Sequence, residues 1–164
     1  MSAPAAIAPV LRQARGVADM DIARALMHEY AGALGVDLCF QGFEAELAGL
    51  PGDYAPPAGT LLLAFDGTHP LGCVAVRPLV DAACEMKRLY VRPEGRGLRL
   101  GRQLVEAAIG HARGAGHASM RLDTLPQMRE AQALYASLGF RDIPAYCHNP
   151  LPGTRYMELA LSPA

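Results

Sequence analysis

Residues Glu85 to Leu104 read E-M-K-R-L-Y-V-R-P-E-G-R-G-L-R-L-G-R-Q-L, and this stretch constrains the fold more than any other. The segment from Cys84 to Val91 reads as a strand that stops at Pro93, because proline has no N–H to give a ladder. From about Leu100 to Ala115, Leu104, Ala107, Ala108 and His111 or Ala112 recur on one face of a helix that Gly114 and Gly116 close. Between them lies the loop Arg96-Gly97-Leu98-Arg99-Leu100-Gly101. A strand feeding a glycine-containing loop that opens a helix builds an anion site. Loop N–H groups converge, and the helix N-terminus adds partial positive charge. Glycine lets backbone approach a phosphate closely, so a pyrophosphate is the natural guest. The plainer alternative is a strand-to-helix turn with basic surface residues. There is no G-x-x-x-x-G-K-[ST] for a nucleoside triphosphate loop, and no G-x-G-x-x-G after the first strand for a dinucleotide.

The flanking sequence supplies an α/β frame. Pro9 to Gln13 is a short strand. Asp19 is a suitable N-cap for a helix carrying Ile22, Leu26, Met27 and Tyr30 at helical spacing and ending at Gly35. Phe43 to Leu50 reads as a shorter helix, and the proline-rich Gly52 to Gly59 as a loop. Thr60 to Phe65 and Leu71 to Leu79 are strands joined at Asp66-Gly67, a hairpin pair whose connection extends at most through His69 and Pro70. Beyond the central helix come a strand from Ala118 to Thr124, a helix from Arg129 to Leu138 stopped by Gly139, and strands near Phe140 to Ile143 and Arg155 to Leu161. The order predicts a mixed, mostly antiparallel sheet with helices on both faces.

A chain of 164 residues fits one domain, 1–164, with a core sufficient to dispense with staples. The net charge of −1 argues against nucleic acid or anionic membrane as partner. Lys87 is the only lysine among fifteen basic residues, which reads as a base-composition bias. Cys39, Cys73, Cys84 and Cys147 show neither C-x-x-C pairing nor metal-ligand spacing. They read as four buried thiols of a reduced, cytoplasmic protein that needs no metal. Met1-Ser2-Ala3-Pro4 is no signal peptide, and no apolar stretch is long enough for a span.

Glu85 to Leu104 closely resembles the core motif of the GCN5-related N-acetyltransferase superfamily, Arg/Gln-x-x-Gly-x-Gly/Ala after a strand and a Pro-Glu. A-L-Y-A-S-L-G-F, from Ala133 to Phe140, resembles that family's later Tyr-x-x-x-Gly-Phe segment at a fitting distance. The resemblance implies a cosubstrate, acetyl-CoA, and a splayed strand pair forming its cleft. Arg96, Gly97, Leu98, Arg99, Leu100 and Gly101 would hold the pyrophosphate, with Arg102 starting the helix. A bulged strand would offer Leu89, Tyr90 and Val91 to the pantetheine arm. The chain departs from the pattern twice. Arg99 replaces the first motif glycine, and the cradle persists there if the backbone is not at positive φ. Met128 replaces a frequent asparagine, and its coenzyme contact is not carried over.

The resemblance further implies direct attack of an amine on the thioester. Tyr135 takes the position of the general acid near the coenzyme sulfur. Glu85 is the candidate base, acting through water, or else a strand residue paired to Lys87 or Arg88. Backbone N–H groups near the bulge would polarise the thioester carbonyl. The five histidines read as structural or exposed, and Asp123-Thr124 as a helix cap. Tyr146 and Asn149, with His148, lie in P-A-Y-C-H-N-P-L-P-G, which in relatives borders the acceptor pocket. They are candidates for substrate binding, or parts of a rigid turn. Three functions fit: an N-acetyltransferase for a small-molecule amine or amino acid, one for a protein or peptide, or a non-catalytic acyl-CoA-binding sensor. Exposed edge strands at the C-terminal end would permit a homodimer.

Overall fold

The computed structural model describes residues 8–39 and 42–161. The strands form one seven-stranded sheet ordered β1-β2-β3-β4-β5-β7-β6. Its strands are β1 (Val10–Gln13), β2 (Thr60–Asp66), β3 (His69–Pro78), β4 (Ala83–Val91), β5 (Ser119–Thr124), β6 (Arg141–Ile143) and β7 (Arg155–Ala160). Helices α1 (Gly16–Leu34) and α2 (Phe43–Ala48) cover one face, and α3 (Leu100–Gly114) and α4 (Arg129–Ser137) the other. All pairings are antiparallel except β4 with β5. The expected α/β architecture is therefore present.

Burial on both faces explains why the central strands lack polar alternation. In β3, Val74 and Val76 join the core under α3, whereas Cys73 and Ala75 join the core under α1. On α3, Leu100, Leu104, Val105, Ala108, Ile109 and Ala112 are buried, the 3–4 spacing that lays one helical stripe on a sheet. Gly72 lets β3 approach β4, since a Cβ there would lie 2.6 Å from the Tyr90 carbonyl oxygen.

Local chemistry corrects several expectations. Asp19 does not cap α1, which begins at Gly16 after Arg15. Its carboxylate lies within the first turn, accepts the Arg15 N–H at 2.7 Å and pairs with Arg12 of β1, so it ties strand to helix instead. The Arg12 hydrogen bonds hold its pKa below the ordinary carboxylate value. The β2–β3 connection is the two-residue turn Gly67-Thr68, one residue past Asp66-Gly67. Gly67 supplies the positive φ of 58° there, while His69 and Pro70 already belong to β3. The four thiols are free, but only Cys73 and Cys84 are buried; Cys39 and Cys147 are exposed. Among the described residues no helix is long and apolar enough to cross a membrane. The Met1-Ser2-Ala3-Pro4 reading lies outside the described residues.

Candidate active site

The site begins where the sheet splits. β4 and β5 pair only through Ala83–Ser119, Cys84–Met120 and Glu85–Arg121. Beyond these pairs, β4 continues along β3 and β5 along β7, so one edge of Met86 to Val91 has no ladder partner. β4 also carries an extra residue. Cys73 faces Tyr90 and Ala75 faces Lys87, which sets Val74 against both Arg88 and Leu89. Arg88 takes up this bulge at φ 62°, a left-handed conformation that a long side chain rarely adopts. Arg88 is held by Glu46 of α2, whose two carboxylate oxygens each accept one of its N–H groups at 2.9 Å. Two consecutive charges, Lys87-Arg88, which put like residues on both faces of a strand, are the sequence signal for this bulge.

A cavity of about 650 Å³ opens beside the split. That volume suits a cofactor-sized ligand. Leu89, Tyr90 and Val91 form one wall, and Arg96, Gly97, Arg99, Leu100 and Gly101 form the end, as the motif predicts. Arg129 at the start of α4 adds a cation that the motif did not identify. The first α3 hydrogen bond runs from Gln103 N–H to the Arg99 carbonyl at 3.1 Å. The N–H groups of Leu100, Gly101 and Arg102 thus have no intrahelical acceptor. At Gly101 an added Cβ would meet nothing nearer than Leu134 at 4.0 Å, so packing does not require glycine there. The open volume faces the cavity, and free amides, cations and an apolar wall together fit a pyrophosphate joined to a pantetheine arm.

Three loop residues depart from expectation. Arg99 sits at φ 55°, so the condition placed on its backbone is not met. The left-handed conformation that the motif's glycine would adopt freely persists with an arginine in it, at the N-cap of α3. Leu98 and Arg102 do not line the cavity. Leu98 accepts a hydrogen bond from Gln103 Nε2, and Arg102 is turned to Glu106 and Ser137.

Two smaller cavities, about 30 and 20 Å³, continue from the large one around Tyr30 and Met128, which line all three. Tyr135 lines the first with Lys87 and Asp123. Its ring packs 5.6 Å from Phe140, and burial pushes its phenol well above the ordinary value, so it is a protonated donor at neutral pH. Burial also raises Tyr30, to about 12. Asp123 lines both small cavities and is no helix cap, since α4 is capped by Met128.

Glu85 has a setting unlike the expected one. Its carboxylate is buried and lines none of the three cavities. One oxygen accepts Arg77 Nε at 2.8 Å, and the other accepts the Tyr146 hydroxyl at 2.6 Å. The predicted pairing with Arg88 is absent, because Arg88 is engaged by Glu46; Lys87 lies 3.9 Å away. A carboxylate so committed is poorly placed to collect a substrate proton. Tyr146 is drawn to Glu85 and stacked edge-on to Tyr156, and it lines none of the cavities. Asn149 lines the smallest cavity, donates to Asp123 at 3.0 Å, and accepts the Leu151 N–H. No cluster of three or more potential metal ligands occurs among the described residues.

The acetyltransferase (GNAT) family profile matches residues 22–140. An uncharacterized N-acetyltransferase of Schizosaccharomyces pombe is 48% identical over 147 residues, covering 88% of this chain and 90% of that protein. Among solved structures, a GNAT-family acetyltransferase of Staphylococcus aureus superposes with a TM-score of 0.78 at 18% identity, covering 94% of this chain and 100% of that one. A Salmonella typhimurium structure with its cofactor acetyl-CoA superposes with a TM-score of 0.64 at 21% identity, covering 94% of each chain.

Proposed function

This chain belongs to the acetyltransferase (GNAT) family, and from that premise we propose that it acetylates the primary amine of a small molecule or amino acid by direct attack in a ternary complex. Acetyl-CoA-dependent N-acetylation is the family's chemistry. The finer reading rests on the size of the acceptor side. Beyond the 650 Å³ coenzyme cavity, small cavities of about 30 and 20 Å³ open around Lys87, Asp123 and Asn149 among the described residues. The segment carrying Tyr146 and Asn149 is fastened over this side by hydrogen bonds to Glu85 and Asp123. That space suits the head of a small amine better than an extended peptide.

The roles of the chain's own groups follow from placement. Loop amides and Arg96, Arg99 and Arg129 neutralise the coenzyme phosphates, while the free edge from Met86 to Val91 aligns the pantetheine arm. The bulge N–H groups stabilise charge developing on the carbonyl oxygen. Tyr135 donates its phenolic proton to the departing thiolate. Acetyl-CoA supplies the activated acetyl group. Two exposed free thiols, Cys39 and Cys147, fit a reducing cytoplasm. The test is thiol release from acetyl-CoA with a panel of small amines and amino acids beside peptides. Turnover should be confined to the small acceptors. Preferential turnover of peptides would overturn the acceptor assignment, and coenzyme binding without turnover of any amine would favour a sensor.

A further inference from the structure

Lys87 is the only lysine of the chain, against fourteen arginines. Its side chain is 7% exposed, and its one ionic neighbour is Glu85 at 3.9 Å, beyond hydrogen-bond distance. Glu85 itself is saturated by Arg77 and Tyr146. The lysine lines the small cavity at the β4–β5 split with Tyr135 and Asp123. An ammonium on so largely buried a side chain normally acquires hydrogen-bonded partners, and this one opens instead on a cavity.

We propose that Lys87 is the general base of the acetyl transfer, taking the proton from the acceptor's ammonium group. This rests on the acetyl-transfer reading above. An arginine could hold a charge here but could not exchange its proton, whereas a desolvated lysine can. Composition bias does not explain why the chain's one lysine stands at this place. The first proton passes from the acceptor nitrogen to neutral Nζ and then to water. The nitrogen lone pair forms the N–C bond, and the C–S bond breaks. The thiolate takes the Tyr135 proton, and the second proton of the acceptor nitrogen restores that phenol. The sum is one N-acetyl product, one free thiol and one proton.

The electrostatic setting supports a base. Burial lowers the Lys87 pKa, and Arg88 on the same strand and Arg77 on β3 act in the same direction. Glu85 and, from β5, Asp123 oppose them without reversing the shift. Glu46 of α2 and Cys147 of the loop before β7 also feel the Lys87 charge. From α1 and α4, Tyr30 and Tyr135 face the same cavity as uncharged phenols. A lowered pKa enlarges the neutral fraction at working pH, and activity rises with pH through the Lys87 ionisation.

A single lysine makes the test direct. Lysine labelled with ¹³C at Cε yields one side-chain signal, whose titration in the CoA-bound protein should fall below the ordinary 10.5. Transfer is then compared for ethanolamine, protonated at neutral pH, and hydroxylamine, already neutral. Lys87→Arg should lose about 100-fold or more with ethanolamine and change only a few-fold with hydroxylamine. Lys87→Met should behave alike, with melting checked to confirm a folded protein. A titration midpoint at or above 10.5, or equal losses on both amines, overturns the base. Wild-type protein inactive on every amine would instead sink the acetyl-transfer reading.

Discussion

Glu46→Gln tests how the β4 bulge is maintained. Arg88 is 2% exposed at its side chain and Glu46 is 14% exposed. Both carboxylate oxygens accept from the guanidinium. The amide of glutamine retains one acceptor and removes the charge, leaving a buried cation uncompensated. Breaking a buried pair from one side costs about 3–5 kcal/mol, and the partial exposure of Glu46 favours the lower end, about 3 kcal/mol. For a chain of this size, that lowers the melting temperature by about 6–12 °C. Because Arg88 holds the left-handed bulge at φ 62°, the same change should loosen Leu89 to Val91 and weaken acetyl-CoA binding. Thermal melting and calorimetric titration with acetyl-CoA measure the two effects on one sample. Replacing both partners with apolar residues should recover part of the stability, as buried pairs often allow. A melting change under about 2 °C for Glu46→Gln would refute the assignment of the ion pair as the bulge's anchor.

Other perturbations separate the remaining parts of the site. Burial works to raise the Glu46 pKa, but the Arg88 hydrogen bonds and charge outweigh it and hold it below 4.5. The pair's stabilisation is therefore complete above that unfolded value and should be lost as pH falls through the lower folded value, which urea unfolding between pH 5 and 2 would follow. Arg99→Gly removes left-handed strain at φ 55° and should stabilise by about 0.5–1 kcal/mol, visible in the same melts. Gly101→Leu fills the cradle rather than the core, and should weaken coenzyme binding at least tenfold with melting of the free protein little changed. Tyr135→Phe should lower kcat about 100-fold while leaving the acetyl-CoA dissociation constant within a few-fold.

The sequence made the coenzyme end readable because phosphate recognition there is largely local. Arg96 through Gly101 follow one another, and the strand stop at Pro93 and the helix stripe from Leu104 orient them. Leu89 to Val91 belong to the same continuous stretch. The acceptor side draws on distant segments: Tyr30 from α1, Asp123 from β5 and Asn149 from the loop before β7, and the bulge beside it on Glu46 from α2. Spacing carries no information about which of these meet. Glu85 illustrates the limit. Its position on the central strand suggested a base, yet its sheet neighbour Arg77 and the distant Tyr146 occupy both oxygens. Arg99 illustrates another: a residue name does not reveal φ, which is 55° there. The adjacent Lys87-Arg88 charges signalled irregularity, and only the register against Val74 turned that signal into a bulge.

The central claim is that the coenzyme occupies the cleft between the splayed β4 and β5, with its phosphates on the loop before α3. Amide hydrogen exchange with and without saturating acetyl-CoA tests it directly. Protection should concentrate in residues 89–91 and 97–102, with β1 unchanged. Saturable binding that leaves both segments unprotected would contradict the account.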